Sequence, residues 1–395
     1  MSNIEAKWLG AEDYDALLEL LNFTFAHKYG RECDFLHAQP KMWVRDEEHM
    51  KKHFGVFEDG RLVSVTGIYP LPTKIGGIDC MFCTTGNVAT HPDFEGRGYF
   101  SKTFSEIMKK AEEMGADAAR LGGARQRYAR FGFEPCGTLY KFTVNETNRK
   151  KCKLDYTNIE FYELANENTE ELKYISELAK RAEMYVERSE EDGLRDVFLA
   201  LSSKNASPYI IKRNGEFIGY LSAAADGVHV GASHFGRHIL EIRCESAELT
   251  AAAILAWQER VGGEVDVGFA PYRVEEIRLM YHISEFFTSS SPSRFRFIRY
   301  EKIADALMRV KAKYTALPEG EAILEIKDYG KLRFYNKDGV CGCERCEAEA
   351  DVAVERRDAA GLIFGPMHAS EIADVPAILS AFLPLPLSWE TNDYT

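Results

Sequence analysis

The stretch that decides the fold is HPDFEGRGYFSKTFSEIMKKAEEMG, residues 91–115. Glycines at 96 and 98 let main-chain N–H groups approach a ligand closely, and the helix that follows directs its positive end at the same point. The apolar residues of that helix recur with a period of 3.6, and Gly115 supplies its end. We therefore predict a pyrophosphate site here, with the alternative that the glycines serve the geometry of the turn alone.

Predicted strands lie on both sides of this turn. Residues 54–57 and 62–68 predict a hairpin, and 81–89 predicts a third strand. A short strand at 118–121 leads into a glycine pair, and 139–144 predicts the last strand of the segment. The sum is a mixed sheet with helices, which is an α+β fold.

A second motif, YARFGF at 128–133, follows one strand later and can face the glycine turn across the splayed edge of a sheet. The two motifs resemble those of the GNAT superfamily of N-acetyltransferases. That family binds the acetyl-CoA pyrophosphate on a (Gln/Arg)-x-x-Gly-x-(Gly/Ala) turn and carries Tyr-x-x-x-Gly-Phe downstream. Two positions depart from the pattern: Glu95 stands where the family usually has Gln or Arg, and Phe100 where Gly or Ala is common.

The resemblance implies acetyl-CoA as co-substrate and assigns roles. Tyr128 aligns with the general acid that protonates the departing CoA thiolate while an amine attacks the thioester directly. Its alternative is a tyrosine that supports the turn at Gly132. The main chain of Val88, Ala89 and Thr90 would pair with the pantetheine arm. The pyrophosphate would lie on Gly96, Arg97, Gly98, Tyr99, Phe100 and Ser101.

Two further groups of residues are candidates for the site. Three arginines can add positive potential beside the phosphates: Arg125, Arg127 and Arg130. Aromatic and acidic residues ahead of the hairpin are the candidate acceptor pocket: Phe23, Phe25, Asp34 and Trp43.

The order of elements then repeats in a degraded form. Residues 169–185 predict a helix, which precedes a hairpin at 209–221, a strand at 239–244 and a helix at 249–261. The turn before that last helix, residues 245–248, is ESAE, which lacks glycine and carries two carboxylates. Such a turn would repel a phosphate, so the second copy is expected to bind no cofactor.

A third segment starts near residue 297. The pattern predicts helices at 302–309, 357–364 and 370–379 and strands at 322–326 and 331–335. The end, 384–395, is Pro-rich and is expected to lie extended across a surface.

This organisation is similar to one GNAT branch, the enhanced intracellular survival (Eis) acetyltransferases. The resemblance implies an active domain at 1–145, a degenerate GNAT-like domain at 146–296 and a sterol carrier protein-like α/β domain at 297–395. The stretches LIFG at 362–365 and LSW at 387–389 also look like that branch. In it the C-terminal carboxylate reaches the active site as the base, a role that falls here to Thr395. The branch usually ends in an aromatic residue, whereas this chain ends Tyr394-Thr395.

Composition limits the remaining classes. A net charge of -13 argues against binding nucleic acid or anionic lipid and suits a cationic substrate. With 45% hydrophobic residues, 28% charged residues and no apolar stretch of about 18–20 residues, we expect a globular cytoplasmic protein without a membrane span. Nine cysteines indicate a reduced compartment. The cluster Cys341, Cys343 and Cys346 is one ligand short of a structural zinc site, so we expect no metal.

The predicted function is acetyl transfer from acetyl-CoA to a primary amine of a cationic small molecule, aminoglycoside-like or polyamine-like, in a ternary complex. A homo-oligomer remains open. The alternative is a protein that binds an apolar ligand in its third domain and keeps a vestigial acetyltransferase domain.

Overall fold

The computed structural model describes residues 2–38, 43–165, 168–188, 206–224 and 236–389. These residues form three sheets with helices packed against them, which confirms the predicted α+β class with mixed sheets. None of the helices in these ranges is long and apolar enough to cross a bilayer.

The first sheet has eight strands. They are β1 (Ile4–Trp8), β2 (His53–Glu58), β3 (Arg61–Ile75), β4 (Ile78–Thr90), β5 (Ala118–Leu121), β6 (Glu134–Cys136), β9 (Met184–Val186) and β15 (Ser293–Phe297). Their order is β1-β2-β3-β4-β5-β15-β6, and β9 pairs with β3. The predicted hairpin and third strand are present as β2, β3 and β4.

Helices cover both faces of this sheet. They are α1 (Tyr14–Tyr29), α2 (Phe35–Ala38), α3 (Glu47–Met50), α4 (Tyr99–Glu113) and α5 (Arg125–Tyr128). On one face, Leu17 and Leu21 of α1 pack with Tyr69 and Ala89. The apolar face of α4 packs on the other, so β4 lies between two cores and its C-terminal end emerges between α1 and α4.

The second sheet has seven strands. They are β7 (Leu139–Val144), β8 (Ile159–Glu163), β10 (Ala206–Arg213), β11 (Glu216–Ala224), β12 (His238–Cys244), β13 (Val265–Phe269) and β14 (Phe286–Ser290), in the order β14-β7-β13-β12-β11-β10-β8. Its helices are α6 (Glu146–Lys151), α7 (Thr169–Ala179), α8 (Ala247–Val261) and α9 (Val274–Ile283). The predicted helix at 169–185 is too long, because the chain leaves α7 after Ala179 and pairs as β9 with the first sheet.

Two strands cross between these sheets. β7 comes before residue 145 but pairs with β13 and β14 of the second sheet. β15 follows the second segment but lies between β5 and β6 of the first sheet. The domain boundaries at 145 and 296 stay a prediction, and the hydrogen bonding of the sheets interleaves across both.

The third segment contains a four-stranded sheet and four helices. They are α10 (Tyr300–Ala312), β16 (Gly320–Ile326), β17 (Gly330–Lys337), β18 (Val340–Cys346), β19 (Val352–Val354), α11 (Arg356–Phe364), α12 (Ala369–Ile372) and α13 (Ala377–Phe382), with strand order β18-β17-β16-β19. The single helix predicted at 370–379 is wrong, because Pro376 separates α12 from α13. The cysteine cluster lies on β18, with Cys341 and Cys343 buried.

The chain after α13 is not a surface segment as far as it is described. Leu385, Leu387 and Trp389 are all buried, and they belong to the core between the first and third sheets. The Thr138 N–H donates to the Leu387 carbonyl at 2.7 Å. The Trp389 ring lies 5.1 Å from that of Phe82 on β4. The stretch up to Trp389 therefore lies in the core and not across a surface as expected, and Thr395 lies outside the described residues.

Candidate active site

The site forms where β4 and β5 separate. These parallel strands pair only from Phe82 to Thr84 on β4 and from Ala118 to Arg120 on β5. Beyond that point a cleft of about 570 Å³ opens. Its walls are the end of β4, the glycine turn, α1 and α5.

The glycine turn forms one wall of the cleft, and its backbone conformation depends on glycine at two positions. Gly96 has φ 77° and Gly98 has φ 82°, a left-handed conformation that favours glycine. A Cβ added at either position would meet no atom within 4 Å, so the face of the turn is open. Gly98 is the N-cap of α4, whose first N–H groups therefore point at the cleft.

Most of the predicted cofactor residues line this cleft. They are Val88, Ala89, Thr90, Gly96, Gly98, Tyr99, Phe100 and Ser101. Arg97 is the exception: its guanidinium donates to the Glu58 carboxylate at 2.9 Å. The Tyr99 hydroxyl donates to the same carboxylate at 2.7 Å, and these two partners lower the pKa of Glu58. The Arg97 side chain thus contacts β2 and does not line the cleft.

Cations surround the opening of the cleft. Lys28 of α1 lines one wall, and Arg127 and Arg130 line the opposite wall. Arg130 donates to the Ser101 hydroxyl at 2.9 Å, which places its charge at the start of α4. Arg125 instead pairs with Glu134 at 2.8 Å. Glu95 is the one carboxylate among the described residues that line the cleft, so its lining is cationic in a chain of net charge -13.

Tyr128 lies beneath the cleft rather than in its lining. Its side chain is 6% exposed and packs 5.4 Å from the Phe104 ring of α4. Burial raises the pKa of Tyr128, so its phenol carries a proton at neutral pH. A Cβ at Gly123 would lie 2.7 Å from the Tyr128 ring, so that glycine makes room for it. Gly132 ends the following turn at φ 81°.

The four predicted acceptor residues do not share one pocket. Phe25 lines the cleft, whereas Phe23 faces a separate pocket of about 360 Å³ and stacks on His91 at 4.7 Å. Trp43 is buried in the core beneath α1, and Asp34 is exposed.

Sequence reasoning missed two sets of residues. Thr24, His27 and Lys28 present one face of α1 to the cleft, and their helical spacing is the signal that could have found them. The second set lies below the end of β4 and consists of His53, Tyr69 and Asn87, which form a buried hydrogen-bonded chain. Residues so far apart in sequence give no local signal.

Comparison with known proteins agrees with this geometry. Residues 5–136 match the sequence model of the family described as "Acetyltransferase (GNAT) domain". These residues form a GNAT acetyltransferase domain, and the protein is an N-acetyltransferase that uses acetyl-CoA. No curated protein sequence is matched by this chain.

The fold of the whole chain is similar to that of solved structures at low sequence identity. Eis1 from Mycobacterium abscessus is 13% identical, with a TM-score of 0.64 over 98% of each chain. A probable N-acyltransferase from Enterococcus faecalis V583 is 15% identical, with a TM-score of 0.66 over 96% of this chain and 95% of that one. A GCN5-related N-acetyltransferase from Kribbella flavida is 15% identical, with a TM-score of 0.63 over 97% and 96%.

Proposed function

We propose that this enzyme transfers the acetyl group of acetyl-CoA to a primary amine of a cationic small molecule by direct attack in a ternary complex. The observation that carries the proposal is the cleft itself. It combines an open main-chain edge on β4, a left-handed glycine turn at the start of a helix, and flanking cations. Pantetheine, pyrophosphate and the charge of CoA each have a matching surface there.

In this proposal Val88, Ala89 and Thr90 pair with the pantetheine arm as an added strand would. The pyrophosphate accepts hydrogen bonds from N–H groups of residues 96–101. Lys28 and Arg130 offset its charge from opposite walls. Glu95 opposes phosphate binding, and the surrounding cations compensate for it.

Tyr128 is the general acid in this proposal. Attack of a neutral amine on the thioester carbonyl forms the C–N bond, and the C–S bond breaks as the thiolate leaves. The tyrosine hydroxyl gives its proton to the sulfur, and the proton that the new amide nitrogen loses restores the hydroxyl. The raised pKa of Tyr128 keeps that proton available at neutral pH.

The base in this proposal is the C-terminal carboxylate of Thr395, which takes a proton from the acceptor ammonium so that a neutral amine can attack. The buried anchor at Trp389 supports this role. Six residues follow it, and an extended chain of six residues spans up to about 20 Å. Phe82, which contacts Trp389, lies six residues before Val88 on β4, so the tail is long enough to reach the cleft.

A cationic acceptor is favoured by electrostatics. The net charge of -13 attracts cations at long range. The pocket beside Phe23 is also lined by Glu19 and Asp59 and lies across α1 from the cleft. Among the described residues that line this pocket, these two carboxylates outnumber the one arginine, Arg61, and would attract an ammonium group to the pocket.

We assign the second and third segments to support of the active domain, with the tail delivered by a sterol carrier protein-like third domain. The alternative of an apolar-ligand binder is disfavoured by side chains that fill the space between α10 and its sheet. Those that are fully buried there are Ile303, Leu307, Leu324, Leu332 and Phe334. A cytoplasmic location and a homo-oligomer remain part of the proposal.

Isothermal titration of acetyl-CoA into the wild type and the Gly98→Glu variant tests the cofactor site. Gly98→Ala is the matched control, since it introduces the same backbone strain at φ 82° without a carboxylate, and its Cβ would meet no atom within 4 Å. We expect binding by the wild type and loss in Gly98→Glu. Equal binding by both would refute the assigned site.

An amine screen then tests the acceptor and the base. Release of CoA thiol is followed with spermidine and neomycin, and with an acidic peptide amine as the contrasting acceptor. We expect turnover of the polycations. Deleting residues 390–395 should abolish turnover and leave acetyl-CoA binding intact, and a fully active deletion would exclude Thr395 as the base.

A further inference from the structure

The end of β4 contains a β-bulge directly beside the cleft. Gly67 of β3 pairs with Gly86, and Val65 pairs with Ala89, so Asn87 and Val88 together oppose the single residue Thr66. Asn87 adopts φ 53°, the left-handed conformation in which asparagine is more frequent than other side chains. Main-chain N–H and C=O groups of successive residues face opposite edges of a strand. One inserted residue shifts this alternation, so that beyond the bulge groups that would have faced β3 face the open edge instead.

Three buried side chains hold that bulge. The Asn87 Nδ2 donates to the Tyr69 hydroxyl oxygen at 2.6 Å, and Tyr69 Oη lies 2.7 Å from His53 Nε2. His53 Nδ1 lies 3.3 Å from the Met50 carbonyl. All three side chains are at most 7% exposed.

The chemistry of these groups fixes the direction of every hydrogen bond. The amide nitrogen of Asn87 only donates, so the Tyr69 hydroxyl accepts from it and donates its own proton to His53 Nε2. The proton of His53 is then on Nδ1 and points at the Met50 carbonyl, which only accepts. Burial lowers the pKa of His53 to about 4, which keeps the imidazole neutral and its Nε2 available as an acceptor.

Neighbouring residues pack closely against the three hydrogen-bonded side chains. Trp43 stacks on His53 with ring centroids 6.0 Å apart. A Cβ at Gly67 would lie 2.4 Å from Tyr69 Oη, so glycine at this position of β3 leaves room for the hydroxyl.

We propose that His53, Tyr69 and Asn87 are positioning residues that lock the β4 bulge and so set which main-chain groups of Val88, Ala89 and Thr90 face the acetyl thioester. This inference rests on the proposed cofactor site. These three side chains act on the reaction only through the main chain of β4, because none of them lines the cleft.

The test uses the full chain with Tyr69→Phe, which removes one hydroxyl, and a pair at His53. His53→Gln keeps an acceptor for Tyr69, and His53→Leu does not. Tyr209→Phe, at a buried tyrosine of the second sheet, is the matched control. Amide hydrogen exchange in peptides covering 85–90, the Kd of acetyl-CoA, and Tm are measured for each.

We expect Tyr69→Phe to speed exchange in that peptide about tenfold and to raise the Kd of acetyl-CoA about tenfold, as for the loss of one well-placed hydrogen bond. His53→Gln should retain most of the wild-type affinity, while His53→Leu should resemble Tyr69→Phe. Tyr209→Phe should leave both quantities unchanged.

A lowered Tm with wild-type exchange and Kd would show a merely structural role and overturn the proposal. If the wild type fails to bind acetyl-CoA, or Gly98→Glu binds as well, the cofactor site fails. The exchange of 85–90 then decides alone whether the three side chains lock the bulge.

Discussion

Substituting Gly123 by alanine should disable the enzyme through Tyr128. The added Cβ would lie 2.7 Å from the ring carbon Cε2, whereas carbon atoms prefer a separation of about 3.5–4.0 Å. The ring must therefore move by about 1 Å, and a misplacement of that size costs about 10²-fold in rate. Gly123 also has φ 136°, where a side chain adds strain of about 1–3 kcal/mol.

The assay is kcat for CoA release with a saturating polycationic acceptor. Gly123→Ala should lower kcat about 10²-fold, and Tyr128→Phe, which removes the acid, by about 10²–10⁴-fold. Added to Tyr128→Phe, the alanine should have little further effect, because both changes act on the same hydroxyl. Gly122→Ala is the matched control, since its Cβ would meet no atom within 4 Å.

Wild-type kcat in Gly123→Ala would refute the argument from the ring position. Wild-type kcat in Tyr128→Phe would exclude the tyrosine as the acid. Multiplicative losses in the double variant would show that the glycine acts on something other than the Tyr128 hydroxyl.

Four further outcomes are expected. Arg97→Ala breaks a partly exposed ion pair with Glu58, so it should cost about 1 kcal/mol or less of stability and leave the Kd of acetyl-CoA unchanged. Arg130→Ala should raise that Kd about tenfold at low salt and by less at high salt. Titration calorimetry measures both values, and a larger increase at high salt than at low salt would contradict the prediction. Folding lowers the pKa of His53 from 6.5 to about 4, because the side chain becomes buried. As the pH drops, His53 is therefore protonated in the unfolded chain before it is protonated in the folded protein. Stability should then fall by up to about 3 kcal/mol between pH 6.5 and 4, and urea titrations should show a shallower acid loss in His53→Gln. Asp117→Asn leaves a fully buried acceptor facing two cations of the third segment, and should lower stability by about 3 kcal/mol; an unchanged Tm would contradict this.

The parts of the fold that sequence could predict are those governed by local pattern. The period of α4, the glycines on either side of Arg97 and the turn at Gly132 each follow from the conformation of a few neighbouring residues. For this reason the glycine turn and the α+β class were predicted correctly.

The remainder depends on contacts between distant residues. No local pattern distinguishes β7 in the second sheet from a strand of the first, since either sheet would bury the same apolar side chains. The acceptor candidates failed to converge for the same reason: aromatic content near α1 does not say whether Trp43 points into the core or the cleft. Pro376 is the exception: it is visible in the sequence, and its missing N–H and its ring prevent one continuous helix over 370–379.

The pairing of β15 with β5 of the first sheet affects how the enzyme folds during synthesis. β5 acquires its neighbour β15 only after residues 122–292 have been synthesised, which takes roughly 10–30 s at about 5–20 residues per second. During that interval the strand edge beside the future active site is unpaired and open to wrong partners or chaperones. Binding of acetyl-CoA by the chain on a translating ribosome should therefore be absent until residue 297 has left the exit tunnel, and a proteolytic fragment cut near residue 145 should be unable to regain a native first sheet.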